Sequence, residues 1–386
     1  MKGSSRISVA YALLFTGTGV SLPYLSLWLR AEGLSGADIG VILAAPMLAR
    51  IVTGPLLAVW ADSFQLRRTA VAVLASVTFC AYVGMALTRG FAAWLPLWFV
   101  AASCLGAILP LLDVFCLRRS RKDGFDYARP RGIGSLAFVA ANVAMGALLA
   151  IYTTELIIVW VAVVNALLAL AAWRILPDEP VADDGVTTSH ADRFAGLGRL
   201  LGDPTFMTAI VSLGLIQAAH AFYYGFSILS WKAQGVPQAW HGLLWATGVA
   251  AEIVFMWFMQ PFRRRMGPWR LVMLGGAAAM VRWTAMAFAP PLAWLWPLQM
   301  LHAFTFAAAF LGGLQIIEKL TPRESSSAAQ TLSSALSSGL LTGLGTIMAG
   351  PLYDRYGAGG YLAMTAMAGL GLVGVLRLRR MVEAKG

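Results

Sequence analysis

Five ionisable side chains stand inside stretches that are otherwise apolar: Arg50, Asp113, Glu252, Arg282 and His302. A charged group at the centre of an apolar helix costs about 2.5–3.5 kcal/mol on insertion scales, so each needs a polar partner or a task. A carboxylate in such surroundings can relay protons. A guanidinium can hold a carboxylate through two parallel hydrogen bonds, and an imidazole can exchange protons with both. Glu252 is the plainest case, set in "GLLWATGVAAEIVFMWFM" (242–259). The structural alternatives are a Glu252–Arg282 pair tying two helices together, an Arg50–Asp113 pair, and a helix–helix hydrogen bond from His302. His220 carries the same ambiguity. Tyr223, Tyr224 and Phe226 crowd one short stretch, where aromatics serve as core or interface belt as readily as a binding wall.

The elements that must position these groups follow from composition. Of 386 residues, 59% are hydrophobic and 12% charged, with mean hydropathy +0.72. Soluble domains carry about a quarter charged residues, so the solvent for most of this chain is lipid. Twelve apolar runs of about membrane-spanning length are expected, at 7–29, 37–61, 67–88, 92–117, 130–152, 155–176, 204–230, 237–262, 269–289, 292–318, 324–352 and 360–378. Backbone groups in lipid must be satisfied within the segment, which makes the runs helices. With the first residues inside, 23 of the 29 Lys and Arg fall on the inner side and 4 on the outer. That bias puts both ends of the chain in the cytoplasm and explains the net charge of +11 without a nucleic-acid partner. No cleavable signal is expected in the opening "MKGSSR". Cys80, Cys104 and Cys116 lie in or beside apolar runs with no metal-ligand spacing. No phosphate-binding loop "GxxxxGK[ST]" occurs, so neither ATP hydrolysis nor any other enzyme activity is expected, and no cofactor.

The polar stretch at 177–203 reads as a cytoplasmic linker between bundles at 1–176 and 204–386, with residues 180–195 expected to be disordered. Shifted by 202 positions, "AEGLSGADIGVILAAPMLARIV" (31–52) meets "AQGVPQAWHGLLWATGVAAEIV" (233–254) without a gap and is identical at 8 of 22 positions. The shared glycines of the outer turn are its most specific feature. Arg50 aligns with Glu252, so each half sets one charge at mid-depth in its second helix, with opposite signs. Two six-helix repeats with a midplane site describe a secondary transporter. The glycines and serines of "SSALSSGLLTGLGTIMAG" (333–350) are expected to allow close helix packing.

Several stretches together resemble the major facilitator superfamily, its lactose permease branch, and within that the phenylpropionate permease family. They are "LPLLDVFCLRR" (109–119), "DYARPRGIGSLAFV" (126–139), "IQAAHAFYYGFSILSWKAQG" (216–235), "LLWATGVAAEIV" (243–254), "VRW" (281–283) and "LQMLHAFTF" (298–306). The superfamily's loop signature survives in part as "ADSFQLRR" (61–68), without its usual glycine. The resemblance implies that Asp113 and Arg131 match a substrate-gripping carboxylate and arginine, with Phe138 in place of a stacking tryptophan. It also implies that Glu252, Arg282 and His302 match the carboxylate, arginine and histidine of the second half. A second carboxylate expected one turn past the histidine is replaced by Thr305.

The sequence reading is an all-α membrane protein of twelve helices in two pseudo-symmetric six-helix bundles. It is expected to be a monomer in the inner cell membrane, importing a small organic anion with protons. The resemblance implies an aromatic monocarboxylate such as 3-phenylpropionate. Glu252 and His302 form the expected proton-coupling set. Arg282, Asp113, Arg131, Arg50, Phe138, Tyr223, Tyr224 and Gln299 form the substrate-binding set, with Arg282 taking the anion in competition with Glu252. The rivals are a proton-coupled sugar or nucleoside symporter of the same fold, a proton-driven drug exporter, and a membrane receptor that transports nothing.

Overall fold

The architecture is that of a computed structural model, which describes residues 3–181, 196–322 and 325–384. The first six spans are α1 (Gly3–Ala31), α2 (Gly36–Asp62), α3 (Arg67–Leu87), α4 (Phe91–Asp123), α5 (Ala128–Leu148) and α6 (Glu155–Arg174). The next is α7, made of Pro204–Ala218 and Ala221–Ala233. It is followed by α8 (Gln238–Phe258), α9 (Gln260–Ala287) and α10 (Leu292–Leu320). The last two are α11, in consecutive pieces Ser326–Ser333, Ser334–Leu341 and Thr342–Tyr356, and α12 (Tyr361–Glu383). Ten helical runs among the described residues are long and apolar enough to cross a membrane. One of them, Ala328–Glu383, turns at Gly357–Gly360 and holds two spans. The arginine-rich α9 is not among the ten, and it supplies the twelfth.

The chain divides into two compact units, one within Met1–Gly185 and Gly235–Leu243, the other within Val186–Gln234 and Leu244–Gly386. Gly235–Leu243 groups with the first unit because Gly242 backs directly onto the Asn142 carbonyl.

Local signals explain the helix ends. Ser35 caps α2 through a reciprocal capping box with Asp38, and Asp203 caps α7 ahead of Pro204. Gly33 and Gly235, paired by the internal repeat, both take positive φ, 94° and 77°. A side chain would be strained there, which is why the repeat keeps glycine at both turns. α5 crosses close to α1 because Gly19 has no side chain: a Cβ there would stand 2.7 Å from the Phe138 carbonyl oxygen. In the second unit a Cβ on Gly345 would stand 3.1 Å from Ala221 Cβ, a close approach that the small-residue stretch leads one to expect.

The stretch expected to be a cytoplasmic linker is structured at both described ends. Leu66 and Pro180 form an antiparallel bridge, with Arg67 N–H donating to the Glu179 carbonyl at 2.9 Å and Val181 N–H to Gln65 at 3.0 Å. Glu179 is buried against Arg119 at 3.4 Å, and Arg68 meets Asp178 at 2.7 Å. The remnant loop signature between α2 and α3 therefore has local partners. A short helix, Leu197–Gly202, precedes α7. Of the stretch expected to be disordered, residues 182–195 lie outside the described residues.

Candidate functional site

Each unit gathers its own polar cluster. In the first, Asp113 of α4 accepts hydrogen bonds at Oδ1 from the hydroxyls of Tyr11 (2.6 Å) and Tyr127 (3.0 Å). Arg131 Nε stands 3.9 Å from the same oxygen. Its guanidinium stacks 4.5 Å from the Phe15 ring, which the close α1–α5 crossing brings beneath it. The expected Asp113–Arg131 partnership is present as an ion pair, but the hydrogen bonds come from the two tyrosines. Each charged partner is about a third exposed, so the pair contributes less than the roughly 3–5 kcal/mol of a fully buried one. Asp113→Asn or Arg131→Gln is expected to slow uptake by about 10-fold, and the double variant to be no slower than the worse single one. Losses that multiply in uptake assays would show that the two act independently. Phe138, half-buried, follows Arg131 by two turns on α5.

Arg50 pairs with nothing among the described residues, and Asp113 is satisfied without it. The alternative Arg50–Asp113 pair is therefore not formed. Arg50 is exposed, near the middle of α2.

The second cluster centres on Arg282, fully buried in α9. One terminal nitrogen donates to His302 Nδ1 and Thr305 Oγ1, both at 3.1 Å, and the other to Gln299 Oε1 at 2.8 Å. The rings of Tyr223 and Trp283 flank the guanidinium at 4.8 and 4.6 Å, a favourable cation–π setting. Three of these partners come from α10, which has a π-helical turn at Ala303–Ala308. Such turns are frequent at functional sites, and this one lets His302 and Thr305 reach one guanidinium group. Gln217 of α7 donates to the Phe306 carbonyl in that turn at 3.4 Å.

The directions of these bonds fix the histidines. An arginine can only donate, so His302 Nδ1 accepts and its proton sits on Nε2. Nε2 faces Glu252 Oε2 at 3.6 Å. Gly248, one turn before Glu252, sets α8 close to α10: a Cβ there would stand 3.4 Å from His302 Cβ. Thr305 accepts from Arg282 and turns its hydroxyl proton to His220 Nε2 at 3.1 Å. His220 Nδ1–H then donates to the Gln217 carbonyl at 3.0 Å. That carbonyl also accepts from the His220 backbone N–H at 3.1 Å, which accounts for the break in α7.

Two expectations change here. A Glu252–Arg282 pair was one alternative, but both terminal nitrogens of Arg282 are bonded to α10, its buried Nε has no hydrogen-bond partner among the described residues, and Glu252 meets His302 instead. Arg282 was also expected to receive the substrate's carboxylate, yet it is wholly enclosed and both its terminal nitrogens are already bonded to Gln299, His302 and Thr305. Of the aromatic candidates, Tyr223 is buried and stacks on Trp245 at 4.6 Å, while Tyr224 is half-buried and stacks on His220 at 5.7 Å. Gln299 is buried as an Arg282 partner. Sequence reasoning missed Tyr11, Tyr127 and Phe15, and treated Thr305 as a gap. No group of three or more His, Cys, Asp or Glu among the described residues could hold a metal ion.

This arrangement of polar groups on apolar spans is that of a membrane carrier, and comparison with known proteins agrees. The chain belongs to the family described as "MFS_1 like family", whose model matches residues 4–362, and is a secondary transporter of the major facilitator type rather than an enzyme. It is 28% identical over 373 residues to the "Probable 3-phenylpropionic acid transporter" of Escherichia coli, covering 95% of this chain and 96% of that one. It is also 28% identical to the "Maltose permease" of Geobacillus stearothermophilus, covering 97% and 94%. Among solved structures, the nucleoside transporter NupG superposes with a TM-score of 0.86 at 18% identity, over 99% of each chain, a likeness of fold.

Proposed function

We propose that the protein imports a small aromatic monocarboxylate such as 3-phenylpropionate together with protons. The observation that carries this is the Glu252–His302 contact. Among the described residues Glu252 has no arginine or lysine within ion-pair distance, it is about one-fifth exposed, and it meets an imidazole whose other nitrogen is held by Arg282. A carboxylate placed so can exchange a proton with water and report its state to its neighbour. When charged it attracts the His302 Nε2–H, which faces it at 3.6 Å. When protonated it loses that attraction and is released. Arg282 then acts as the group that aims His302. The likeness to a 3-phenylpropionic acid transporter supports the substrate class.

The topology belongs to the same reading: bundles at 1–176 and 204–386 joined through 177–203, both ends of the chain in the cytoplasm, and a monomer in the inner membrane. The Lys and Arg bias supports that orientation. A proton-coupled sugar or nucleoside carrier is the second reading, favoured by the Tyr11–Asp113–Tyr127 cluster, which suits a hydroxyl-bearing substrate. Uptake into proteoliposomes with the inside alkaline, across a panel of aromatic acids, disaccharides and nucleosides, tests both. Accumulation of the acids supports the first. Accumulation of a sugar or nucleoside alone refutes it.

A further inference from the structure

Of the three arginines described above at membrane depth or beside it, two are engaged. Arg282 is buried with both terminal nitrogens bonded to α10, and Arg131 leans on Asp113 and Phe15. Arg50 makes no hydrogen bond or ion pair with any described residue, although it stands 14 residues into the 27-residue α2. At 1.5 Å per residue that is about 20 Å along a helix of about 40 Å, near mid-depth.

The face it occupies is informative. Leu43, Pro46, Arg50, Gly54, Leu57 and Ala61 follow one another by three or four residues, so they form a single stripe. Leu43, Pro46 and Ala61 are buried, and Leu57 packs against the core of the first unit. This is the inward stripe of α2. The exposed apolar residues Ile51, Val52, Leu56 and Val59 lie around the other side. Arg50 is nevertheless exposed in the middle of the inward stripe, and a Cβ on Gly54, one turn on, would have nothing within 4 Å. The inner wall of the unit therefore has an opening at mid-depth, with an unpaired guanidinium in it. An arginine there is costly without a partner, and no described side chain supplies one.

We infer that Arg50 is the receptor for the carboxylate of the transported anion, in place of the enclosed Arg282. This rests on the reading above of an anionic aromatic substrate. The guanidinium offers two parallel donors to a carboxylate. The bound anion would supply the charge partner that no described residue provides. The acid is then gripped in the first unit and the proton is carried at Glu252 in the second.

The test uses the full-length transporter in proteoliposomes, with 3-phenylpropionate as substrate and the neutral 3-phenylpropionamide as competitor. Arg50→Gln is expected to raise KM for the acid by about 10- to 100-fold, as charged hydrogen bonds are lost, while inhibition by the amide stays at the wild-type level. Arg50→Lys keeps the charge without the planar fork and is expected to fall between the two. The unliganded Arg50→Gln protein is expected to melt no lower than wild type, because its loss strands no internal partner. A wild-type KM in both variants would overturn the assignment, and so would an Arg50→Gln protein that fails to fold. A wild type that takes up no aromatic acid would instead overturn the substrate reading itself.

Discussion

Replacing Arg282 by alanine is expected to abolish transport and to destabilise the second unit. The substitution removes donors from Gln299 Oε1, His302 Nδ1 and Thr305 Oγ1 at once. Interhelical hydrogen bonds in membranes average about 0.6 kcal/mol and reach about 1.7, so three together come to about 2–5 kcal/mol. Arg282→Lys separates aiming from charge. One ammonium cannot span acceptors bonded to both terminal nitrogens of the guanidinium, so His302 is released to either tautomer. Lysine at this position is expected to lower the melting temperature and to remove most pH-driven accumulation, while KM for the acid in facilitated exchange changes by less than about 3-fold. A KM that rises in step with the loss of accumulation would return Arg282 to the substrate site.

The second large effect is expected at Glu252. Glu252→Gln keeps the shape of the side chain and leaves it able to accept from His302 Nε2–H, but it cannot give up or take a proton. Counterflow, in which labelled substrate exchanges across the membrane without a driving force, is expected to stay within about 3-fold of wild type. Accumulation against a gradient is expected to disappear. Thr305 limits the alternatives. The position where a second carboxylate was expected holds a hydroxyl whose oxygen and proton are both engaged, by Arg282 and His220. Among the residues of this cluster, that leaves Glu252 as the acid.

The helices were legible because lipid imposes a simple rule on sequence: about twenty apolar residues per span. Loops at alternate ends of the spans differ in basic residues, and the repeated turn glycines mark equivalent points in the two halves. Arg50, Asp113, Glu252, Arg282 and His302 stood out for the same reason, as charges in apolar runs. Their partners did not. Tyr11 and Tyr127 are aromatic residues in a chain that is 11% aromatic, and nothing in their spacing shows that both hydroxyls meet Asp113. The π-helical turn of α10 helps bring His302 and Thr305 to Arg282, and nothing in the sequence marks that turn, so the opposite charges of Glu252 and Arg282 suggested a pair that is not formed. Arg50 and Glu252 align in the repeat, yet one is left without a partner and the other meets a histidine. That difference depends on packing around each helix rather than on the aligned letters.

The most direct measurement is of the proton itself. Proteoliposomes in weakly buffered medium are given a pulse of 3-phenylpropionate while a pH electrode follows the outside. Wild-type protein is expected to alkalinise the medium as substrate enters, and Glu252→Gln to admit substrate by exchange with no pH change. Alkalinisation by Glu252→Gln at the wild-type rate would contradict the account, because the proton would then travel by a path that does not include Glu252.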